Sequence, residues 1–392
     1  MAGGGGDEPL GGKSEITAEW LTDALREGGH PPRGRVRTVD VAEVGGGRGY
    51  ISQNVRRAPT YEGAPDSAPA SLVAKVPAFF ELPAYLGPWA AMIIETEIPW
   101  SREASAYCAA RVPSSFGGKH ANRFSYTLLL EDRGHLGTLS RTESCPPERA
   151  RPIVRALADV HPQWWEMDRL RAATWLPSTE QQAGVNAPLV AGGWDIFAER
   201  IMPKVDAGFM PAGERLVRDF GAIYERSAAS AATLIHGDFR IENFLFGEPG
   251  SDDELVILDW QLAGYGSGPR DLACFIAQGI DRSSAALSMR SCSRCTTPRW
   301  WRTASPAIPS GGAETTTALG CWRACLDSAP PAFPLIGIQG AEALEPPPKE
   351  ASAEDKRALD ELLRAAETLM VMLAERNSTA VMDARAGELL GV

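Results

Sequence analysis

His236-Gly237-Asp238-Phe239-Arg240-Ile241-Glu242-Asn243, followed by Ile257-Leu258-Asp259-Trp260, decides how this chain is read. An Asp precedes an Asn by five residues, and a second Asp closes an apolar run. In that order they supply a group able to accept a hydroxyl proton and two hard oxygen ligands for Mg2+. Magnesium is commonly held by one or two carboxylates, with phosphate oxygens and water completing its octahedron, which suits Asn243 and Asp259. Thr233-Leu234-Ile235, Asn243-Phe244-Leu245-Phe246 and Leu255-Val256-Ile257-Leu258 are short apolar runs that read as buried strands. The polar side chains therefore sit at strand ends, where rigid elements fix them, and phosphoryl transfer asks a protein for little beyond positioning and charge neutralisation. A turn network around His236 and Asp238, with Asp259 capping the next element, is the competing structural reading. It gives no reason for the pattern to lie between apolar strands.

His-Gly-Asp-x-x-x-x-Asn followed by Ile-Leu-Asp-Trp resembles the aminoglycoside phosphotransferase and choline kinase-like family of the protein kinase-like fold, in which Gly replaces the Arg of the protein kinase catalytic loop. Further similarity runs from about Val36 to about Gln278, with a weaker return near Phe333. The resemblance implies Asp238 as catalytic base, Asn243 and Asp259 as metal ligands, and His236 and Asp271 as supporting residues. Gly264 to Ala273 reads as a glycine-rich turn opening a helix that Asp271 is placed to cap. The family likeness adds that Asp271 braces the catalytic loop from below, and the two roles can coexist.

The first third of the chain is expected to carry the nucleotide. Val39 to Val44 and Ile51 to Arg56 read as paired strands around Gly45-Gly46-Gly47-Arg48-Gly49, a hairpin whose backbone, at Gly46, Gly47 and Gly49, can approach phosphates. The loop lacks full Gly-x-Gly-x-x-Gly spacing and no helix follows it, so neither a Rossmann nor a Walker site is supported. A plain surface hairpin is the alternative. Ser71 to Pro77 is an apolar strand interrupted by Lys75, similar to the Val-Ala-x-Lys strand whose lysine contacts the α- and β-phosphates. A buried ammonium needs a counter-charge, so Lys75 either points to solvent from an edge or meets an acid and a phosphate. Glu103, with Ala106 and Tyr107 beside it at helical spacing, is the first choice, and Glu95 and Glu97 compete. Tyr126 to Asp132 resembles the segment linking the family's two lobes, where adenine would dock on the backbone of Leu130, Glu131 and Asp132. Ile153 to His161 reads as an amphipathic helix, with His161 a packing or helix-ending residue.

With 392 residues, 44% hydrophobic and 23% charged, the chain has an ordinary globular composition. No stretch approaches a membrane span, and the glycine-rich start lacks the regions of a signal peptide, so a cytoplasmic protein is expected with residues 1–15 disordered. A formal charge of -11 without a basic face argues against a nucleic-acid partner and tolerates a cationic substrate. Arg57 to Ala70 reads as a hairpin loop. From Ser352 to Arg376, leucines at helical spacing predict a long amphipathic helix.

Residues 288–325 break the pattern, with four cysteines, three tryptophans and no periodicity. Zinc is rejected in favour of a compensated frameshift in the gene or its sequencing. Cys295 to Trp301 is what a stretch encoding Tyr-His-Ala-Ala-Leu-Val would give in a shifted frame. Resequencing the locus decides between this and a genuine insert.

The expectation is an α+β, bilobal protein kinase-like fold. It has a small strand-rich N-lobe over residues 16–132, binding nucleotide, and a larger mainly helical C-lobe over 133–392, binding the acceptor. Its expected reaction is phosphorylation of a small-molecule hydroxyl, with ATP and Mg2+ as cofactors. A catalytically idle nucleotide-binding or regulatory protein is the alternative. The acceptor and the oligomeric state are left open.

Overall fold

The computed structural model describes residues 16–28, 34–43, 52–77, 87–122, 125–139, 145–200, 232–268, 270–272, 274 and 275, with isolated positions between 210 and 221. Gly46, Gly47 and Gly49, residues 1–15, the aberrant 288–325 segment and the C-terminal amphipathic stretch all lie outside the described residues. The chain divides into two compact units, Met1–Thr138 with Phe244–Ala263, and Leu139–Asn243 with Gly264–Val392.

The first unit begins with helix α1 (Ala18–Glu27), whose Thr17 side chain caps the Trp20 N–H. Its Trp20, Leu21, Ala24 and Leu25 recur at helical spacing and are buried in one cluster with Val36, Val55, Leu72, Ala74, Val76 and Leu129. Those last six come from an antiparallel five-stranded sheet in the order β1-β2-β3-β5-β4. Its strands are β1 (Arg35–Glu43), β2 (Ser52–Glu62), β3 (Leu72–Pro77), β4 (Ser115–Asn122) and β5 (Ser125–Glu131). Side chains alternate across a strand, so Ala74 and Val76 face the α1 cluster and Lys75 between them takes the other face.

Arg57 to Ala70 is not all loop: β2 runs on to Glu62, which pairs with Arg35. Pro59 misleads here, because proline normally argues against a sheet interior. Pairing between β2 and β3 ends at Arg57, so one side of β2 is open at Pro59, which still pairs with Val39 of β1.

Helix α2 (Gly87–Pro99) is followed by a π-helical turn, Trp100–Ala104. Trp100 stacks on Trp260 at 4.2 Å between ring centroids, fastening this turn to the 3-10 turn Trp260–Leu262. Strands β7 (Phe244–Phe246) and β8 (Leu255–Ile257) pair antiparallel, and Asp253 lies in their connection. Asp253 closes a ring of alternating charge. Arg111 meets Glu131 at 2.9 Å and Asp253 at 3.1 Å, while Arg133 meets Glu131 at 2.6 Å and Asp253 at 2.7 Å. Each acid thus serves two guanidinium groups, which ties Phe244–Ala263 to the end of the sheet despite its distance in sequence.

In the second unit α3 (Pro147–Gln163) starts with proline in its first turn and buries Ile153, Leu157, Val160 and His161. Helices α4 (Asp168–Arg171) and α5 (Thr179–Arg200) follow, and β6 (Thr233–Ile235) pairs antiparallel with β9 (Gly264–Gly266). Gly264 to Gly266 is therefore a strand and not part of a turn. Its glycines answer to crowding: a Cβ on Gly264 would come within 2.2 Å of the Gln182 side chain.

Candidate active site

In the second unit, chemistry concentrates after β6. Gly237 has φ 81°, a left-handed backbone in which an L side chain is strained, and it lets the chain reverse immediately before Asp238. Beneath the reversal lies the Asp271 carboxylate, fully buried. It accepts the His236 N–H at 2.7 Å and the Gly237 N–H at 2.9 Å, and His161 Nε2 lies 3.3 Å away. His161 is placed by its position in the last turn of α3, whose carbonyl also accepts the Thr233 hydroxyl. Residues 270–272 are already helical, so Asp271 is not the cap expected from sequence, and its side chain is given to the loop. Burial alone would raise the Asp271 pKa. The hydrogen bond and charge of His161, with the His236 contacts, outweigh burial and hold it below the usual carboxylate value.

A depressed carboxyl stabilises the fold above its unfolded pKa, about 3.9, and the contribution is lost as pH falls through the lower folded value. Asp271→Asn, which offers only one acceptor oxygen, is expected to cost about 2–4 kcal/mol near neutral pH. The gap between wild type and variant should stay level down to about pH 5 and narrow below about pH 4, as read from urea unfolding across a pH series.

Asp238 itself is half-buried. The Asn243 side-chain N–H2 donates to the Asp238 backbone carbonyl at 2.8 Å and to its Oδ2 at 3.2 Å, and Arg240 Nε lies 3.0 Å from the same Oδ2. Arg240 also pairs with Glu242 at 3.3 Å. Both partners of the Asn243 nitrogen are pure acceptors, so the amide orientation is fixed by chemistry and its carbonyl oxygen is the end suited to a hard cation.

A second cluster lies in the first unit. Lys75, buried in β3, places its ammonium 2.7 Å from Glu97 of α2 and 2.7 Å from Asp259, with the Gln261 side-chain oxygen at 3.1 Å. Its acid on α2 is thus Glu97, whereas Glu103 and Glu95 are exposed. The reason is helical phase: α2 runs through Glu97 to Pro99 with Ile93, Ile94 and Ile98 buried, and Glu97 shares that buried side. Glu103 falls on the π-helical turn beyond, facing outward.

Burial works against the Lys75 charge, but Asp259 and Glu97 overcome it and move its pKa upward, so the lysine is charged. Glu97 moves up too, first through burial and also through the neighbouring Asp259 charge, against the pull of Lys75. Asp259 has φ 61° and ψ 61°, a left-handed backbone rare outside glycine, and such strain concentrates at functional positions.

Leu130 and Glu131 close β5 and Asp132 follows it, and both acidic side chains are occupied structurally. Glu131 belongs to the charge ring, while Asp132 pairs with Arg56 and accepts from Ser71. Among the described residues no group of three or more His, Cys, Asp or Glu side chains is arranged to hold a metal. No described helix is long and apolar enough to cross a membrane.

Two further residues of this cluster are inconspicuous in the sequence. Glu97 is one of two acids in an apolar helix and the buried one, the counterpart of a lone lysine inside an apolar strand. Gln261 stands two residues after Asp259, with no pattern to single it out.

The fold is protein kinase-like. Choline kinase from Cryptosporidium parvum Iowa II superposes with a TM-score of 0.53 at 8% identity, covering 88% of this chain and 91% of that one. The GDP complex of wild-type aminoglycoside 2'-phosphotransferase-IIIa gives 0.47 at 12% identity, covering 92% and 100%. Aminoglycoside-3'-phosphotransferase of type VIII gives 0.44 at 20% identity, covering 78% and 97%. Residues 194–286 match the sequence model of the ecdysteroid kinase-like family, a span that contains Asp238, Asn243, Asp259 and Asp271. The resemblance to the aminoglycoside phosphotransferase and choline kinase-like group thus holds for this chain. No curated protein sequence matches it.

Proposed function

We propose that this chain is a small-molecule kinase, transferring the γ-phosphoryl group of ATP to a hydroxyl of a small acceptor. The observation that carries the reading is the buried Lys75 ammonium, held charged between Glu97 and Asp259. A cation kept at such a cost of desolvation, beside a carboxylate on strained backbone, suits a triphosphate. Lys75 would neutralise phosphate oxygens, and Asn243 with Asp259 would hold Mg2+. Bound magnesium supplies charge neutralisation at the phosphates. Backbone of Leu130 to Asp132 would seat adenine in a strand-rich N-lobe, and Gly46, Gly47 and Gly49 would lie over the phosphates. The acceptor would sit in the helical C-lobe.

Asp238 would take the acceptor's hydroxyl proton while the acceptor oxygen bonds to the γ-phosphorus and the bond to the β-γ bridging oxygen breaks, releasing ADP. Asn243 and Arg240 hold that carboxylate in one orientation, so little is reorganised at the moment of reaction. The solved relatives whose names include choline and aminoglycoside make amine-bearing alcohols the first acceptors to try, and a net charge of -11 is compatible with them. A cytoplasmic setting, without nucleic acid or membrane as partner, accords with this chemistry.

The test has two stages. Thermal-shift titration with ATP or GTP and Mg2+ should raise the melting temperature, and nucleotide consumption across a panel of small alcohols should then rise for one class. No shift with either nucleotide overturns the reading. Binding without consumption on a broad panel favours an idle nucleotide-binding protein.

A further inference from the structure

Lys75 carries three N–H donors and no acceptor. Around its nitrogen stand Glu97 Oε1 at 2.8 Å and Oε2 at 2.7 Å, Asp259 Oδ1 at 2.7 Å, and Gln261 Oε1 at 3.1 Å. Two carboxylates and one amide therefore occupy all three donors of a buried side chain. A phosphate oxygen can reach this ammonium only by displacing one of them.

We propose that Gln261 is a placeholder for that phosphate oxygen: its side-chain carbonyl completes the Lys75 ammonium in the nucleotide-free protein and yields its position when nucleotide binds. The inference rests on the nucleotide reading of Lys75 given above. All three contacts have an ionised donor, and the two carboxylates add the attraction of opposite charges that an amide oxygen lacks. Gln261 makes the one contact with an uncharged acceptor, and the longest. Displacing Glu97 would strand a buried carboxylate beside an incoming polyanion, and Asp259, which meets Lys75 through Oδ1, would keep that contact while Oδ2 serves the metal, whereas displacing Gln261 frees a neutral amide.

The local structure allows the exchange. Gln261 is half-buried, so its amide can turn towards water. It rides on the short turn Trp260–Leu262, whose Trp260 is pinned on Trp100 and whose Trp260 carbonyl accepts the Ala263 N–H. Side-chain rotation alone suffices. A glutamate here would put a third carboxylate on one ammonium and oppose the phosphates. An apolar side chain would leave a buried N–H of the empty site unsatisfied. Glutamine avoids both, completing the empty site at little cost to binding.

Isothermal titration with ATP, with and without Mg2+, on wild type, Gln261→Glu and Gln261→Met tests this. Gln261→Glu is expected to weaken ATP at least about tenfold. Gln261→Met, of similar length with no amide acceptor, is expected to bind ATP as tightly as wild type or up to about tenfold more tightly. A loss of more than about tenfold in Gln261→Met would make Gln261 a direct ligand and overturn the proposal, as would unchanged affinity in Gln261→Glu. Should Gln261→Glu fail to fold, the direction of change in Gln261→Met decides. Wild-type protein that binds no nucleotide overturns the functional reading and this inference together, whereas binding wild type with an indifferent Gln261→Glu overturns only the inference.

Discussion

Asp238→Asn is expected to lower turnover by about 10²–10⁴-fold, the usual contribution of a positioned general base, while ATP affinity stays within a few-fold of wild type. The substitution keeps shape and removes basicity. Its oxygen can still accept from Asn243, whose nitrogen also holds the Asp238 backbone carbonyl at 2.8 Å, so the loop has a reason to keep its form. Gly237 and the two N–H bonds into Asp271 fix the reversal from the other side and involve no Asp238 side-chain atom. The defect should therefore lie in kcat. Single-turnover kinetics with a consumed alcohol, paired with titration calorimetry, separates the two quantities. Lost nucleotide affinity in a folded variant would remove Asp238 from the role of base, and so would undiminished turnover. Asp271→Asn should behave differently, because it weakens the scaffold under the loop and its deficit follows stability and pH.

Residues that form a pattern along the chain were the legible ones. Asp238, Asn243 and Asp259 lie in one short span between apolar strands, where spacing conveys position. Lys75 was legible as an anomaly, a charge inside a run that otherwise reads as buried sheet. Its partner was harder, because choosing among Glu95, Glu97 and Glu103 requires the phase and end of α2. That helix is apolar enough to blur its own periodicity, with Trp89, Ala90, Ile93, Ile94 and Ile98 all buried. A π-helical turn then shifts the phase again before Glu103. The service of His161 to Asp271 was not legible at all, since it joins positions 110 residues apart. The same holds for the charge ring, in which Asp253 meets Arg111 across 142 residues. Pro59 and the glycines of β9 show the opposite failure. Each is a strong turn signal by composition, overridden by an open strand edge in one case and by crowding against Gln182 in the other.

The ion cluster around Lys75 sets up the largest stability effect. Lys75→Met removes a cation that Glu97 and Asp259 share, their side chains being 10% and 29% exposed. Breaking a buried pair from one side leaves uncompensated charge, which typically costs about 3–5 kcal/mol, and the partial exposure of Asp259 places the expected loss near the lower end, about 3 kcal/mol. Glu97→Met in the same chain should restore much of it, because an apolar side chain of similar size replaces the more deeply buried charge. Glu103→Gln should change stability by less than about 0.5 kcal/mol, as expected for an exposed position. Urea unfolding of the single and double variants measures all three. The direction with pH is also fixed. Without Lys75, the stranded Glu97 carboxyl has a folded pKa above its unfolded value, so protonation relieves it and the deficit should shrink as pH falls from about 7 towards about 5. A deficit that Glu103→Gln reproduces and Glu97→Met fails to relieve would break the assignment of Glu97 as partner, and with it the charge balance that would prepare Lys75 for a nucleotide.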